Sequence, residues 1–364
     1  MTVDSPATSN ETRRRSDQGG ARRVASEAVQ RGGLLFVWLA LAVVFSVMSP
    51  HIFATQGTLK TIFGTQETLI LLALSLLPLL IVGELDLSVA ANLGLSATLC
   101  AVLNGQDGVN IVVAVLIALA AACLVGVING ILIVYTGVSS LIVTLGMGAL
   151  LDGIAVGISH SITVGGVSKG LTKVVSSQLG GLPYSFYFLI AIAALLWYVF
   201  EMTPTGRNMV FIGKNAEVAR LAGVRVARIR FLSAVSTALL AGVAGIIYIG
   251  TIGAIEPSSA DSYLLPAYAA AFLGAVCIRP GRFNSWGTLV AGFFLITGIT
   301  GIEELGYGGY TANIFYGLAL IIGVVASTFA QKLRALADWR SIRPTDDVRP
   351  PVEDQELVGT EVPL

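Results

Sequence analysis

The chain has 364 residues, of which 55% are hydrophobic and 12% charged, and its formal net charge is zero. A soluble domain carries roughly 25% charged residues and needs a polar shell however large its core. A soluble fold is therefore excluded, and the apolar excess must face lipid.

The first 33 residues are polar and basic, with Arg13, Arg14, Arg15, Arg22, Arg23 and Arg31. They are too long for a signal's basic region, and no small-x-small pattern precedes the polar end of the next apolar run at Ser49-Pro50. The expectation is a disordered basic cytoplasmic tail (1–33) ahead of a first membrane helix. A spanning helix needs about 20 mostly apolar residues. On that basis the sequence predicts an all-α polytopic membrane protein of about ten spans, near 34–48, 68–82, 88–103, 111–134, 141–158, 184–200, 231–252, 264–278, 286–302 and 314–330.

One interruption stands out. Gly83-Glu-Leu-Asp-Leu-Ser88 breaks what reads as a single long apolar stretch. Irregular backbone at membrane depth is tolerated only where protein buries it or a cavity runs past it, so the break marks a helix junction or a solute pathway. Charge supports the span count. With the N-terminus inside, even spans leave six Lys/Arg in the first tail, six in 201–230, two in 279–284 and five after 330 on the inner side. Only Lys60, Lys169 and Lys173 fall outside, as the positive-inside rule demands. Asp107, Glu256, Asp261, Glu303 and Glu304 occupy the outer loops instead. The membrane-spanning domain is thus placed at 34–330. The segment 331–364, rich in Pro, Asp and Glu from about Arg340, is expected to be cytoplasmic and largely disordered.

Cys100, Cys123 and Cys277 lie inside apolar runs and read as small buried hydrophobes. Their odd count and spacing suit neither a disulfide framework nor a zinc site. His51 and His160 are too far apart to suggest a metal pair, and no metal is expected. Asp152 precedes a Gly153-x-x-x-Gly157 spacing, which allows close helix packing. Tyr135, Phe231, Tyr263, Tyr268 and Phe272 suit lipid interfaces or helix packing, with stacking on the apolar face of a solute ring as the alternative.

The polar island at 201–230 carries the strongest local signals. Asn215 is a good N-cap and Glu217 lies in the first turn, where the helix dipole favours negative charge. Arg220 falls near the end, and Gly223 is a natural terminator. Val218, Leu221 and Ala222 give a small apolar face. A helix this short is unstable alone in water and must dock, against a soluble partner or on the bilayer surface. The island is not an ATP site. Gly213-Lys214 is followed by Asn215, and Asn208 stands where a P-loop needs its leading glycine.

Four blocks carry a family resemblance: Gly83-Glu-Leu-Asp-Leu-Ser-Val89; Asn129-Gly130 through Leu141-Ile-Val-Thr-Leu-Gly146; Thr205-Gly-Arg207 through Ile212-Gly213-Lys-Asn215 to Arg220-Leu-Ala-Gly223; and Leu273-Gly274 through Gly281-Arg282 to Trp286-Gly287-Thr288. In their order they resemble the membrane-spanning permease of ATP-binding-cassette importers, ribose and monosaccharide type, over about residues 34–330. The resemblance implies a coupling helix at Asn215, Ala216, Glu217, Val218, Ala219, Arg220, Leu221 and Gly223, seated on a separate nucleotide-binding ATPase subunit. It also implies an extracytoplasmic solute-binding protein and a second permease, as homodimer or sister chain, around the pathway. The chain would be no enzyme and would carry no cofactor, ATP being the partner's. Surrounding membrane lipid is expected and nucleic acid is not. The expected solute is a monosaccharide or polyol, with branched-chain amino acids or nucleosides as the alternative and ion-coupled transport as a more distant one.

Glu84, Asp86, Ser88, Asn129 and Thr144 are candidates for the pathway. For Asp86 the competing role is a helix cap or an ion pair with an inner arginine; for Asn129 and Thr144 it is interhelical hydrogen bonding. Two departures from the family pattern are Glu84, where glycine is commoner, and the Arg279-Pro-Gly-Arg-Phe-Asn284 turn. The expected location is the inner membrane with both termini cytoplasmic.

Overall fold

The computed structural model describes the backbone of residues 32–342 and the side chains of residues 32–332. The expectations for 1–31 and 343–364 lie outside the described residues. The chain is helical almost throughout. Helix α1 (Gly32–Met48) is followed by α2 (Gln56–Gly64), α3 (Glu67–Ile81), α4 (Val89–Ala101), α5 (Ile111–Thr136) and α6 (Ser140–Ile158). Next come α7 (Lys169–Ser176), α8 (Tyr184–Trp197), α9 (Pro204–Lys214) and α10 (Ala216–Leu221). The last four are α11 (Val226–Ile252), α12 (Leu264–Gly274), α13 (Ser285–Glu304) and α14 (Tyr310–Ile342).

Seven helical segments among the described residues are long and apolar enough to cross a membrane: Gln56–Ile81, α5, α6, Tyr184–Met202, α11, α13 and Tyr310–Lys332 of α14. The other three expected spans fall on the shorter helices α1, α4 and α12. All ten predicted segments are therefore helical, and the count of ten stands as an approximation.

Every residue of α3 is buried, and so is nearly all of α4. Leucine, isoleucine and alanine surround them from α11, α12 and α13. The peripheral helices α5, α6, α8 and α14 instead turn apolar side chains outward, among them Leu116, Ile142, Leu195 and Ile321. Small residues set the closest approaches. A Cβ at Gly126 of α5 would lie 2.7 Å from the Ala238 Cβ of α11, and one at Gly245 of α11 would lie 2.4 Å from the Leu93 carbonyl oxygen of α4. Backbones this close gain packing that larger side chains forbid. The Gly153 and Gly157 pair behaves otherwise: nothing lies within 4 Å of a Cβ built at either position. Within this chain the spacing does not pack a helix, because that face of α6 points away from the bundle.

The bundle has two chemically distinct ends. At one, Gly213 backs onto Ile81, Arg279 pairs with Glu201, and Gly281 lies against Ala330. The Lys/Arg of 201–230 gather there. At the other, the Thr58 hydroxyl donates to Glu304 (2.8 Å) and the Ser185 hydroxyl to Glu67 (3.0 Å). That end also holds α7, a 3-10 helix (Pro257–Tyr263) and a strand pair joining Val164–Gly165 antiparallel to Ala254–Ile255.

Three boundaries differ from expectation. The island at 201–230 contains a second helix, α9, started by Pro204 behind Thr203, whose hydroxyl oxygen accepts from the Gly206 amide at 3.3 Å. Helix α11 begins at Val226, not near 231, its first turn being too basic to read as membrane. Helix α14 runs to Ile342, past the expected boundary at 330.

Candidate functional site

The break between α3 and α4 is built by local chemistry first. Helix α3 closes with Gly83 in the left-handed region (φ 86°), its amide donating to the Leu80 carbonyl at 3.2 Å and that of Glu84 to Leu79 at 3.0 Å. This is the Schellman arrangement, which a glycine at that position permits without strain. The chain then runs extended, and its amides must find partners far away in sequence.

They find side-chain oxygens one after another. The Leu85 amide donates to the Ser140 hydroxyl of α6 (3.3 Å), Asp86 to the Tyr268 hydroxyl of α12 (3.0 Å), and Leu87 to the Thr144 hydroxyl of α6 (3.0 Å). The Ser88 amide and hydroxyl both donate to the Asp86 carboxylate, at 2.8 and 2.5 Å. Three hydroxyls work in both directions. Tyr268 donates to the Asp86 carbonyl (2.9 Å), Thr144 to the Ser140 carbonyl (2.8 Å), and Ser88 accepts from the Asn129 side-chain amide of α5 (3.0 Å). Asp86, Ser88, Asn129, Thr144 and Tyr268 are all buried.

Four of the five residues singled out for a pathway thus meet at one point. Asp86 takes the capping role over the turn into α4, and no ion pair reaches it among the described residues. The arginine partner goes to Glu84 instead, with Arg230 of α11 at 3.4 Å. Asn129 and Thr144 bridge helices. Ser140 and Tyr268 belong to the same network; Ser140 was not singled out, and Tyr268 was named only for its ring, although a tyrosine hydroxyl buried in an apolar helix must find a partner.

Beside the break sits the polar loop. The last turn of α9 presses on the end of α3 so closely that a Cβ at Gly213 would lie 2.1 Å from the Ile81 carbonyl oxygen. Asn215 then caps α10, its side-chain oxygen accepting from the Glu217 and Val218 amides, each at 3.1 Å. Gly223 (φ 83°) ends it in a second Schellman motif, with Gly223 donating to Arg220 and Val224 to Ala219, both at 3.0 Å. Arg220 reaches back to Glu217 at 2.5 and 3.1 Å. That guanidinium, by hydrogen bond and by charge, holds the Glu217 carboxyl below its usual range. Only Ala219 is buried in α10. Val218 is 48% exposed and Leu221 75%, so the apolar face looks outward, uncovered. Behind it an open cavity of about 540 Å³ is lined by Tyr135, Arg220, Phe231 and the 224–228 segment.

A broken helix tied into the core thus lies next to a doubly capped polar helix whose apolar face is free. Residues 58–326 match the family described as branched-chain amino acid transport system / permease component, and the chain belongs to that family. It is a polytopic permease of the ATP-binding-cassette import type.

Three relatives illustrate the range. The chain is 30% identical over 277 residues to the Autoinducer 2 import system permease protein LsrD of Photorhabdus luminescens, covering 74% of this chain and 82% of that one. It is 28% identical over 320 residues to the D-allose transport system permease protein AlsC of Escherichia coli (strain K12), covering 85% and 98%. With LsrD of Salmonella paratyphi A the figures are 27% over 330 residues, 88% and 97%. No solved structure gives a significant match.

Proposed function

We propose that this chain forms the translocation pathway for a monosaccharide or a closely related polyhydroxylated solute, and that α10 is the helix through which a separate ATPase subunit drives it. The observation that carries the reading is α10 itself. Six residues, capped at both ends and held to the bundle mainly through Ala219, present Val218 and Leu221 to empty space. A helix that short is marginal in water by itself, and a partner covering Val218 and Leu221 supplies packing that the bundle does not. The sugar branch is supported by relatives named for D-allose and for autoinducer 2.

On this reading the basic end of the bundle is cytoplasmic, both termini lie on that side, and the membrane is the inner one. The opposite end, with its carboxylates and short strand pair, receives solute from an extracytoplasmic binding protein. The outward apolar faces of the peripheral helices leave room for a second permease copy as well as lipid. Hydrolysis belongs to the ATPase partner, and the chain itself is no enzyme. Residues 34–330 act as the transport unit and 201–230 as its coupling loop.

Uptake of labelled ribose, allose, a hexose, a polyol, a nucleoside and leucine by cells with and without the chain tests this, with ATP depletion as control. Loss of ATP-dependent uptake of one sugar is the expected result. Loss confined to leucine or the nucleoside overturns the solute class, and uptake driven by an ion gradient alone overturns the motor.

A further inference from the structure

We propose that the Glu84–Arg230 ion pair is a transmission strut, tying the motor-facing loop to the break between α3 and α4. The inference rests on the coupling role given to α10 above. Arg230 lies in the second turn of α11, seven residues beyond Gly223, where α10 ends. Glu84 follows Gly83, which closes α3, and stands two before Asp86. Their side chains meet at 3.4 Å between Arg230 Nη1 and Glu84 Oε1, with Glu84 only 14% exposed.

Two features make this pair more than a surface contact. First, it parallels a rigid one. Gly213 already bears on the Ile81 carbonyl, so displacement of the α9–α10 loop pushes the end of α3 while the ion pair pulls on the residue just past it. Push at Ile81 and pull at Glu84, three residues apart and on either side of the Gly83 turn, rotate the break, and its amides at 85–88 are held only by side chains of α6 and α12 and by Asp86. Second, the pair is incomplete. Arg230 Nε is buried and has no hydrogen-bond partner, while Nη1 stands at ion-pair distance. A buried donor left unpaired is costly. The Nε–H lies on the Nη2 edge of the guanidinium, away from Nη1, so the pair holds through one nitrogen and leaves the two-pronged edge unused.

The test uses the full permease in proteoliposomes with its ATPase and binding protein, and labelled ribose and allose as probes. Solute moved per ATP hydrolysed is compared for wild type, Glu84→Gln and the exchanged pair Glu84→Arg with Arg230→Glu. Glu84→Gln is expected to lower that ratio about tenfold, within the usual span of coupling between sites, while hydrolysis continues at the wild-type rate. The exchanged pair is expected to recover most of the ratio. Uptake and hydrolysis falling together in Glu84→Gln, or an unchanged ratio, overturns the strut. So does an exchanged pair no better coupled than Glu84→Gln. A wild-type complex that hydrolyses ATP and moves neither probe nor any solute of the uptake panel overturns the coupling reading itself, and the strut with it.

Discussion

The Tyr268 hydroxyl serves both polar groups of one residue, accepting from the Asp86 amide and donating to the Asp86 carbonyl. Tyr268→Phe removes one oxygen and leaves a buried donor and a buried acceptor without partners, at about 1–3 kcal/mol for each. The variant is expected to unfold at a clearly lower temperature in detergent, whereas Tyr135→Phe, on a side chain 71% exposed, leaves the midpoint where it was. Gly213→Ala tests the opposite kind of intolerance. Its methyl group would sit inside the Ile81 carbonyl, and relieving such overpacking typically costs about 1–3 kcal/mol; a drop in melting temperature together with lost uptake is expected. At this scale the sequence was readable where polarity clashed with surroundings. Asp86, Ser88, Asn129 and Thr144 stood out as polar residues in apolar runs, and they converge. Their partners Ser140 and Tyr268 did not, since a serine at a helix start and a tyrosine in a membrane helix each have ordinary explanations, and the bond to Tyr268 spans 182 positions.

Helix α10 shows what capping alone can specify. Asn215, Glu217, Arg220 and Gly223 each carry a local instruction, so both ends of the element were visible before any tertiary contact. Helix α9 was not, because its apolar residues are one short run, 209–212, between Arg207-Asn208 and Lys214, too short to show a period, although Thr203-Pro204 announced its start. If α10 is a docking element, Leu221→Asp is expected to abolish retention of the ATPase subunit on the purified permease without changing the permease's own melting temperature. Its side chain touches nothing that stabilises the bundle. The Glu217–Arg220 pair adds a pH signature. A carboxyl whose folded pKa is depressed stabilises above its unfolded value and loses that contribution as pH falls through the folded one. The ordinary value being 4.5, ATPase retention is expected to stay flat between about pH 6 and 8. It should fall only on acidification past the usual glutamate range. Both side chains are exposed, so the pair shapes the helix more than it stabilises it.

For the molecule as a whole, the distribution of Lys and Arg told more than any motif. It pointed to an even number of crossings, and among the described residues the structure gathers the Lys and Arg of 201–230 and 279–282 at one end of the bundle. What the sequence could not supply was the layering. Helices α3 and α5 are similarly apolar strings, yet α3 is wholly enclosed while most of α5 faces outward. Hydropathy measures the transfer of a segment out of water and is blind to whether lipid or protein receives it. The solute is hidden for a related reason. Recognition depends on a few polar groups in three dimensions, and those visible in the sequence are already spent on holding the break together.

The enclosure of α3 has a consequence for how the protein is made. It is among the first segments to leave the ribosome, but α11, α12 and α13, which wrap it, are synthesised more than a hundred residues later. Until then its buried threonine, its serine and Glu67 have only lipid or the insertion machinery for company. A chain interrupted after α8 will hold an orphaned centre and be open to quality-control proteolysis, while one interrupted after α13, lacking only α14, keeps the α11–α13 wrapping of α3. Assembly of this permease is thus committed late, at the moment its second half arrives to close around its first.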